Sequence, residues 1–378
     1  MSIKVMSVFG TRPEAIKMLP LVHAITKDPR FQNLVCVTAQ HREMLDQVLD
    51  TFQVKPHYDL DLMTPRQTLT DITGNVLRGM EGVFAEAKPD IVLVHGDTTT
   101  SFAAALAAFY QQIPVGHVEA GLRTYDRYSP FPEEMNRNLT SKLATLHFAP
   151  TQLNVENLAR ESITDHVYIT GNTVIDALLS IVRPDYVFHE SALDHLSYEG
   201  MRTVLMTAHR RENLGQPMRN IFEAVLKLVQ RHPDVQVIYP MHKNPAVRQP
   251  AFEILGHHPR IHLIEPIGVS DMHNLFTKCY FIMTDSGGLQ EEAPALGKPV
   301  LVLRTETERP EAVAAGTAKV VGIEREDILR EAERLLEDPI EYKRMSQAQN
   351  PYGDGHASRR ICDAIADFFN SPSRREHC

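Results

Sequence analysis

A regular alternation of short apolar runs with longer amphipathic stretches constrains the fold of this chain more than any other feature. The apolar runs are rich in Val, Ile and Leu and lack a polar residue at every second position. Such runs are typical of strands that are buried on both faces of a parallel sheet. They lie at residues 3–9, 34–38, 91–95, 115–118 and 145–149, and again at 203–207, 235–239, 261–264, 280–284 and 300–303.

Helical patterns separate these runs, for example at 13–27, 41–52, 98–110, 218–231 and 287–296. Strands that alternate with helices predict an α/β fold with parallel sheets covered on both faces. The alternation stops at 183–201, where charged residues, Pro and Gly interrupt it, and 378 residues exceed the usual ~100–200 of one domain. We therefore expect two Rossmann-like, doubly wound domains, 1–182 and 200–355, with a cleft between them. A C-terminal helix within 356–378 is expected to pack back on the first domain.

Composition and charge narrow the class of protein. The net charge of −9 argues against a nucleic-acid-binding protein, for which a basic face would be expected. No apolar run approaches the ~18 residues of a membrane span, and residues 1–15 show no signal-peptide pattern, so we expect a cytoplasmic protein without a membrane partner. The cysteines are scattered without metal-ligand spacing, which predicts reduced, incidental thiols at Cys36, Cys279, Cys362 and Cys378.

The stretch TDSGGLQEEAPALGKPV (284–300) follows an apolar run and opens a helix. In doubly wound sheets ligands bind beyond the carboxyl ends of the strands, and the free N–H groups of a helix start favour an anion there. Ser286, Gly287 and Gly288 would let a diphosphate approach the backbone closely. Glu292, about one turn further on, could bind the two hydroxyls of a ribose. A capped helix after a tight turn is the alternative interpretation.

Positive groups of the second domain fit the same ligand. In RTETERPEAVAAG (304–316), Arg309 begins a helix after the next strand and should lie beside the first turn of the preceding helix. In MTAHRRENLG (206–215), His209 and Arg210 follow a strand and suit phosphate contact and leaving-group protonation. Together these features predict a nucleotide-sugar site.

The first domain opens with a related turn, VFGTRPEAIKMLP (8–20), which places Arg12 and Lys17 near the start of a helix. The turn matches neither the dinucleotide fingerprint nor the Walker loop, so NAD and ATP are poorly supported as ligands. Solvated surface charges are an equally good interpretation of Arg12 and Lys17.

Carboxylates gather after two successive strands of the first domain. Asp97 follows the run at 91–95, Glu119 follows the run at 115–118, and Glu133 and Glu134 begin a later helix. Each could be structural, with Asp97 as a helix cap and the glutamates in the first turn of a helix. Their combination instead predicts acid–base chemistry. No further ligands have the spacing that would make His117 and Glu119 a metal site.

Ordered motifs along nearly the whole chain resemble the non-hydrolysing UDP-N-acetylglucosamine 2-epimerases. They are FGTRPEAIKM, TAQHREMLDQVL, VLVHGDTTTS, GHVEAGLRT, PEEMNR, ITGNTVIDAL, TAHRREN, TDSGGLQEEAPALGKPVLVLR, TERPEAV and NPYGDG. The resemblance implies the GT-B type of fold, a homodimer, and interconversion of UDP-GlcNAc and UDP-ManNAc through elimination of UDP to a 2-acetamidoglucal. It implies no metal or nicotinamide cofactor.

Residue roles also follow from the resemblance. The implied catalytic residues are Asp97, Glu119, Glu133 and His209. The implied substrate contacts are Arg12, Lys17, Ser286, Gly287, Gly288, Glu292 and Arg309, to which we add Arg210. Ile267 and Met272 stand where many members of the family have Gln and Phe, in the stretch expected near uracil.

Bacterial relatives bind a second UDP-GlcNAc as an allosteric activator. The matching region here comprises Gln40, His41, Glu43, Arg66 and His242, with Glu43 at a position where some relatives carry Gln.

Three other functions share this pattern: a hydrolysing epimerase that releases ManNAc, an epimerase of a UDP-2,3-diacetamido uronic acid and a GT-B glycosyltransferase. The set of carboxylates disfavours a non-catalytic nucleotide-sugar sensor.

Overall fold

The structure, a computed structural model, describes residues 2–38, 42–62 and 66–371. The chain divides into two compact units: Met1–Ser180 with Tyr352–Cys378 forms the first, and Ile181–Pro351 forms the second. Each unit is built on a parallel sheet whose strands alternate with helices along the chain. The predicted α/β class with two Rossmann-like, doubly wound domains is therefore confirmed.

In the described part of the first unit, the sheet has seven strands in the order β3-β2-β1-β4-β5-β6-β7. The strands are β1 (Ile3–Phe9), β2 (Phe31–Val37), β3 (Tyr58–Asp59), β4 (Ile91–His95), β5 (Val115–Val118), β6 (Leu146–Ala149) and β7 (Val167–Ile169). The helices are α1 (Arg12–Lys27), α2 (Arg42–Thr51), α3 (Leu69–Ala87), α4 (Thr99–Tyr110), α5 (Glu133–Leu143), α6 (Gln152–Arg160), α7 (Thr173–Ile181) and, at the C-terminal end, α16 (Ala357–Asn370).

The second unit has a six-stranded sheet in the order β10-β9-β8-β11-β12-β13 among its described residues. The strands are β8 (Arg202–Thr207), β9 (Val235–Pro240), β10 (Ile261–Ile264), β11 (Cys279–Thr284), β12 (Val300–Val302) and β13 (Ala318–Val320). The helices are α8 (Ser191–Asp194), α9 (Gln216–Arg231), α10 (Pro245–Leu255), α11 (Val269–Lys278), α12 (Gly287–Glu292), α13 (Pro310–Ala315), α14 (Arg325–Glu337) and α15 (Pro339–Ser346).

Burial explains why the strands were recognisable as apolar runs. Every residue of β4 and of β9 is buried, because helices cover both faces of each sheet. The register brings strand ends together: His95 pairs with Val118 across β4 and β5, and Thr207 pairs with Thr284 across β8 and β11. Within each unit, the residues that follow the two paired strands therefore begin next to each other. No helix within the described ranges is both long and apolar enough to span a membrane.

Two expected element bounds are corrected by the structure. The helix expected at 287–296 ends at Glu292 and continues as a 3-10 turn, Ala293–Leu296, because Pro294 has no N–H to donate to the preceding turn. The strand expected at 34–38 begins earlier, since Phe31 already pairs with Ile3 of β1.

The chain also passes between the two units at positions that differ from the expected boundaries. Residues 183–199, which lie between the two expected domains, belong to the second unit. Asp271 of α11 accepts hydrogen bonds from the backbone N–H groups of His189 and Glu190 at 3.0 and 2.9 Å. At the other end, Tyr352 already belongs to the first unit. There α16 pairs Asp363 with Arg30 at 2.7 Å.

Candidate functional site

The turn that starts α1 is filled by a carboxylate of the helix itself. The N–H groups of Gly10 and Thr11 donate to Glu14 Oε2 at 3.1 and 2.8 Å. The hydroxyls of Thr98 and Ser101 donate to Glu14 Oε1 at 2.7 and 2.8 Å. Glu14 is buried, so the N–H groups at this helix start already have an acceptor within the protein.

Arg12 and Lys17 project from this helix with different surroundings. Arg12 is the first residue of α1, and its side chain is partly buried. Lys17 forms an ion pair with Glu119, and the two side chains are 19% and 15% exposed. Lys17 is therefore not merely a solvated surface charge.

Glu119 follows β5 with a backbone φ of +62°, in the left-handed region that residues other than glycine rarely adopt. Strain of this kind is concentrated at functional sites. Besides Lys17, Asn172 Nδ2 donates to Glu119 Oε2 at 2.9 Å, and His95 Nε2 lies 3.5 Å from the same oxygen. Burial would raise the pKa of Glu119, but Lys17 and His95 outweigh it and hold that pKa well below its ordinary value.

Asp97 has the opposite electrostatic setting. Its carboxylate accepts a hydrogen bond from Arg137 Nη2 at 2.6 Å, yet burial raises its pKa and the nearby charge of Glu119 adds to the rise. Asp97 is not the cap of α4, because that role is taken by Thr98, whose hydroxyl accepts from Ser101 N–H at 3.1 Å. The alternative interpretation of Asp97 as a helix cap is therefore wrong.

The two glutamates at the start of α5 differ as well. Glu134 is buried and accepts hydrogen bonds from the N–H groups of Thr124 and Tyr125, both at 3.0 Å, so it holds the preceding loop. Glu133 is partly buried, and its Oε2 is a buried atom that no group of the described residues hydrogen-bonds. Glu133 is therefore the one of the pair available for chemistry.

His117 plays a structural part. Its Nε2 lies 2.7 Å from the carbonyl of Gly96, which can only accept, so Nε2 carries the proton. Burial lowers the pKa of His117 to about 3, which keeps the imidazole neutral. Within the part of the chain that the structure describes, no group of three or more His, Cys, Asp or Glu side chains could hold a metal ion.

In the second unit, Asp285 organises the loop after β8. Asp285 is fully buried, and its Oδ2 accepts from the N–H groups of His209 and Arg210 at 2.7 and 2.8 Å and from Asn213 Nδ2 at 3.1 Å. The guanidinium of Arg210 also approaches the Asp285 carbonyl, with Nε at 3.3 Å. This role of Asp285 as an anchor was not predicted from the sequence.

The side chain of Asp285 also lies close to the His209 ring. Its Oδ1 is 3.3 Å from His209 Nδ1, an approach without a hydrogen bond. The ring of His242 stacks on His209 at 5.7 Å between centroids. Burial lowers the pKa of His209 and His242 lowers it further, while Asp285 raises it, and the net direction favours the neutral ring. His209 is 38% exposed and can reach a ligand.

The start of α12 contrasts with that of α1. Ser286 is its N-cap residue, but no side chain caps the helix. Arg309 forms an ion pair with Glu291, and its guanidinium lies beside Gly287, where an added Cβ would be 3.7 Å from Nη2. Free N–H groups and a cation at one helix start suit an anion.

Glu292 lies one turn along α12 and curls back toward its start. Its Oε1 would be 3.4 Å from a Cβ at Gly288, and its Oε2 is 3.2 Å from Nε2 of His273 on α11. His273, which was not predicted as part of the site, is almost fully buried and contacts the Glu292 carboxylate.

The residues matched to the activator site are only partly described. Gln40 and His41 lie outside the described residues, as does the side chain of Glu43. Arg66 is exposed in the first unit, with a φ of +61°. His242 is exposed in the second unit, where it stacks on His209.

Known proteins share this sequence and fold. The model of the UDP-N-acetylglucosamine 2-epimerase family matches residues 23–366. The UDP-N-acetylglucosamine 2-epimerase of Bacillus subtilis (strain 168) is 58% identical over 99% of this chain and 97% of its own length.

Two solved structures extend the likeness to the fold. S. aureus MnaA, solved with UDP, has 52% identity and a TM-score of 0.86 over 97% of both chains. The UDP-GlcNAc 2-epimerase of Neisseria meningitidis, bound to UDP-GlcNAc, has 51% identity and a TM-score of 0.85 over 96% of this chain and 99% of its own. The fold is thus that of the GT-B-like epimerases, and the chain belongs to the UDP-N-acetylglucosamine 2-epimerase family.

Proposed function

We propose that this protein interconverts UDP-N-acetylglucosamine and UDP-N-acetylmannosamine without hydrolysing them. UDP would leave C1 with the bonding electrons while a base removes the proton from C2, which gives 2-acetamidoglucal. A proton would then return to the opposite face of C2 as UDP adds back to C1. Atoms balance without an oxidant, a reductant or water.

The chemistry explains why the reaction needs carboxylates. The C2 proton is not adjacent to a carbonyl and is only weakly acidic. Departure of UDP builds positive charge on the ring, and anionic groups near the ring stabilise that charge and accept the proton. Protons must be handled on both faces, so more than one acid–base group is required.

The opposite electrostatic settings of Asp97 and Glu119 are the observation that carries this proposal. They follow neighbouring strands, and their environments push their pKa values in opposite directions. Environments that separate two carboxylates in this way mark an acid–base site. We assign proton transfer to Asp97, because its raised pKa makes it the better proton carrier. Glu119, held ionised, would stabilise the positive ring, and Glu133 would serve the other face.

The second unit supplies the groups that suit UDP. We assign the diphosphate to Ser286, Gly287 and Gly288 at the uncapped start of α12, with Arg309 beside it. His209 and Arg210, presented by Asp285, would contact the phosphate that leaves. We assign the ribose hydroxyls to Glu292. S. aureus MnaA binds UDP and the N. meningitidis enzyme binds UDP-GlcNAc, which supports this ligand class.

Incubation of the purified protein with UDP-GlcNAc in deuterated water, followed by NMR, tests the reaction. We expect deuterium at C2 of both UDP-GlcNAc and UDP-ManNAc. An epimer that carries only protium at C2 contradicts the elimination mechanism. Release of free ManNAc and UDP indicates a hydrolysing epimerase, and a glycosyltransferase or sensor would give neither exchange nor epimer. A matched incubation with the UDP-2,3-diacetamido uronic acid separates the remaining alternative.

A further inference from the structure

Two sequence motifs without an assigned role lie against each other in the first unit. Residues 171–176 (GNTVID) lead from the end of β7 into the first turn of α7, and residues 352–355 (YGDG) bring the chain back from the second unit. The backbone N–H of Asn172 donates to the carbonyl of Tyr352 at 2.7 Å. A Cβ at Gly353 would lie 3.2 Å from the Cα of Gly171, so the two backbones pass in contact.

A second contact holds the same two segments together. Asp176 of α7 accepts hydrogen bonds from the N–H groups of Ala357 and Ser358 at 3.2 and 2.8 Å. These are free donors in the first turn of α16, so Asp176 caps that helix. Residues 352–358, which we call the C-terminal return, are therefore bound to the start of α7 at two points.

The side chain of Asn172 has its orientation set by its own helix. Its Oδ1 accepts from the N–H of Val174 at 3.0 Å, which leaves Nδ2 to donate to Glu119 Oε2 at 2.9 Å. Asn172 is 3% exposed, so it does not offer a surface to substrate.

The two carboxylate oxygens of Glu119 have different surroundings. Oε2 is held by Lys17 and Asn172, with His95 close by. No group in the described ranges donates to Oε1, which lies 4.0 Å from the position of a Cβ at Gly96. A side chain that stands on a strained backbone and is held through one oxygen can present the other in a fixed direction.

We propose that Asn172 is a positioning residue for Glu119 and that the returning segment at 352–358 holds Asn172 in place. The C-terminal return is then a working part of the candidate active site, although it touches no reacting atom. This inference rests on the role of Glu119 in the proposed function.

Asn172→Ala and Asn172→Asp test the inference in the full-length protein. Both should lower kcat by about 10- to 100-fold, as expected for a displaced catalytic group, with UDP affinity within about threefold of the wild type. Loss of a donor to an ionised carboxylate raises its pKa, so the acid limb of the kcat profile should move to higher pH. Asn172→Asp, which adds a second negative charge there, should move it further.

Asp176→Ala tests the part of the proposal that concerns the returning segment. It removes one of the two contacts that hold residues 352–358 without touching Glu119, so it should lower Tm and lower kcat by less than the Asn172 variants do. A wild-type kcat in Asp176→Ala overturns the role given to the returning segment. Asp50→Asn, at an exposed position on α2, is the control and should leave Tm, kcat and the acid limb unchanged. Asn172→Asp keeps the shape of the side chain and the acceptor for Val174, so it remains informative if Asn172→Ala does not fold.

The outcomes are distinct. A wild-type kcat and pH profile in the Asn172 variants overturns the inference, and so does a lower kcat with an unmoved acid limb, which indicates a merely structural role. Absence of epimerisation by the wild-type protein under the same conditions overturns the proposed function instead.

Discussion

The starts of α1 and α12 each follow a strand in the middle of a parallel sheet, and they differ in the groups that surround them. Glu14 fills the first with a carboxylate that accepts four hydrogen bonds. The second has no side-chain cap and lies beside a guanidinium. A strand–turn–helix unit therefore does not by itself identify an anion site. The groups that already fill the turn decide its function.

The same contrast extends to the charged side chains nearby. In the first unit the strand ends carry Asp97 and Glu119, which suit a developing positive charge. In the second unit Arg210 and Arg309 approach the start of α12, which suits phosphates. We infer that the first unit carries the chemistry on the sugar ring and that the second unit binds UDP. Each variant below tests one of these two roles.

The largest effect is expected for Asp97→Asn. The amide keeps the shape of the side chain but cannot carry the proton, so turnover should fall by roughly 10²–10⁴-fold, the usual contribution of a positioned acid or base. UDP affinity should stay within a few-fold, because UDP lacks the sugar ring. Steady-state rates and calorimetric titration with UDP measure both quantities. Asp50→Asn, an exposed position on α2, is the control, and normal turnover of Asp97→Asn would remove Asp97 from the chemistry.

Glu14→Ala should affect stability and leave the second unit unchanged. It strands the N–H groups of Gly10 and Thr11, so the free energy of unfolding should fall by roughly 2–4 kcal/mol, the loss of a helix cap together with charged hydrogen bonds. Urea denaturation measures the change, with exposed Glu81→Ala as a control that should stay within about 0.5 kcal/mol of the wild type. A variant as stable as the wild type would mean that the turn at α1 tolerates an empty anion position.

Glu292→Ala should weaken UDP binding more than it lowers stability. Loss of a carboxylate that binds ribose hydroxyls should weaken UDP binding by roughly 1.5–3 kcal/mol, the range for a hydrogen bond to a charged group. Stability should change less than in Glu14→Ala, because the contact with His273 is the one hydrogen bond that the described residues make to the Glu292 side chain. Calorimetry with UDP alone decides the point, and unchanged affinity would place the ribose elsewhere.

The sequence could predict the parts of the site that follow from strand order. Asp97 and Glu119 follow two successive apolar runs, and parallel strands deliver such residues to one edge of the sheet. The short strands β3, β7 and β13 have two or three residues, too few for a pattern.

Side chains that orient others could not be predicted in this way. Asn172 is 53 residues from Glu119, and Asp285 is 76 residues from His209. No local spacing connects such pairs, because their contact depends on which strands and helices become neighbours when the chain folds. Glu134 shows the converse: it shares a helix turn with Glu133, and only the fold distinguishes the buried anchor from the available carboxylate.

The smallest change in stability is expected for Gly287→Ala, with Gly10→Ala as its counterpart. A Cβ at Gly287 would lie 3.7 Å from Arg309, an ordinary contact distance. The free energy of unfolding should therefore change by less than about 1 kcal/mol. UDP binding should weaken, because the methyl group occupies the space we assign to the diphosphate. A Cβ at Gly10 would lie 2.2 Å from Thr38 Oγ1, so Gly10→Ala should cost about 1–3 kcal/mol of stability and leave UDP affinity unchanged. Thermal unfolding and UDP titration of both variants test this crossed pattern, and a loss of UDP affinity in Gly10→Ala alone would reverse the division between the units.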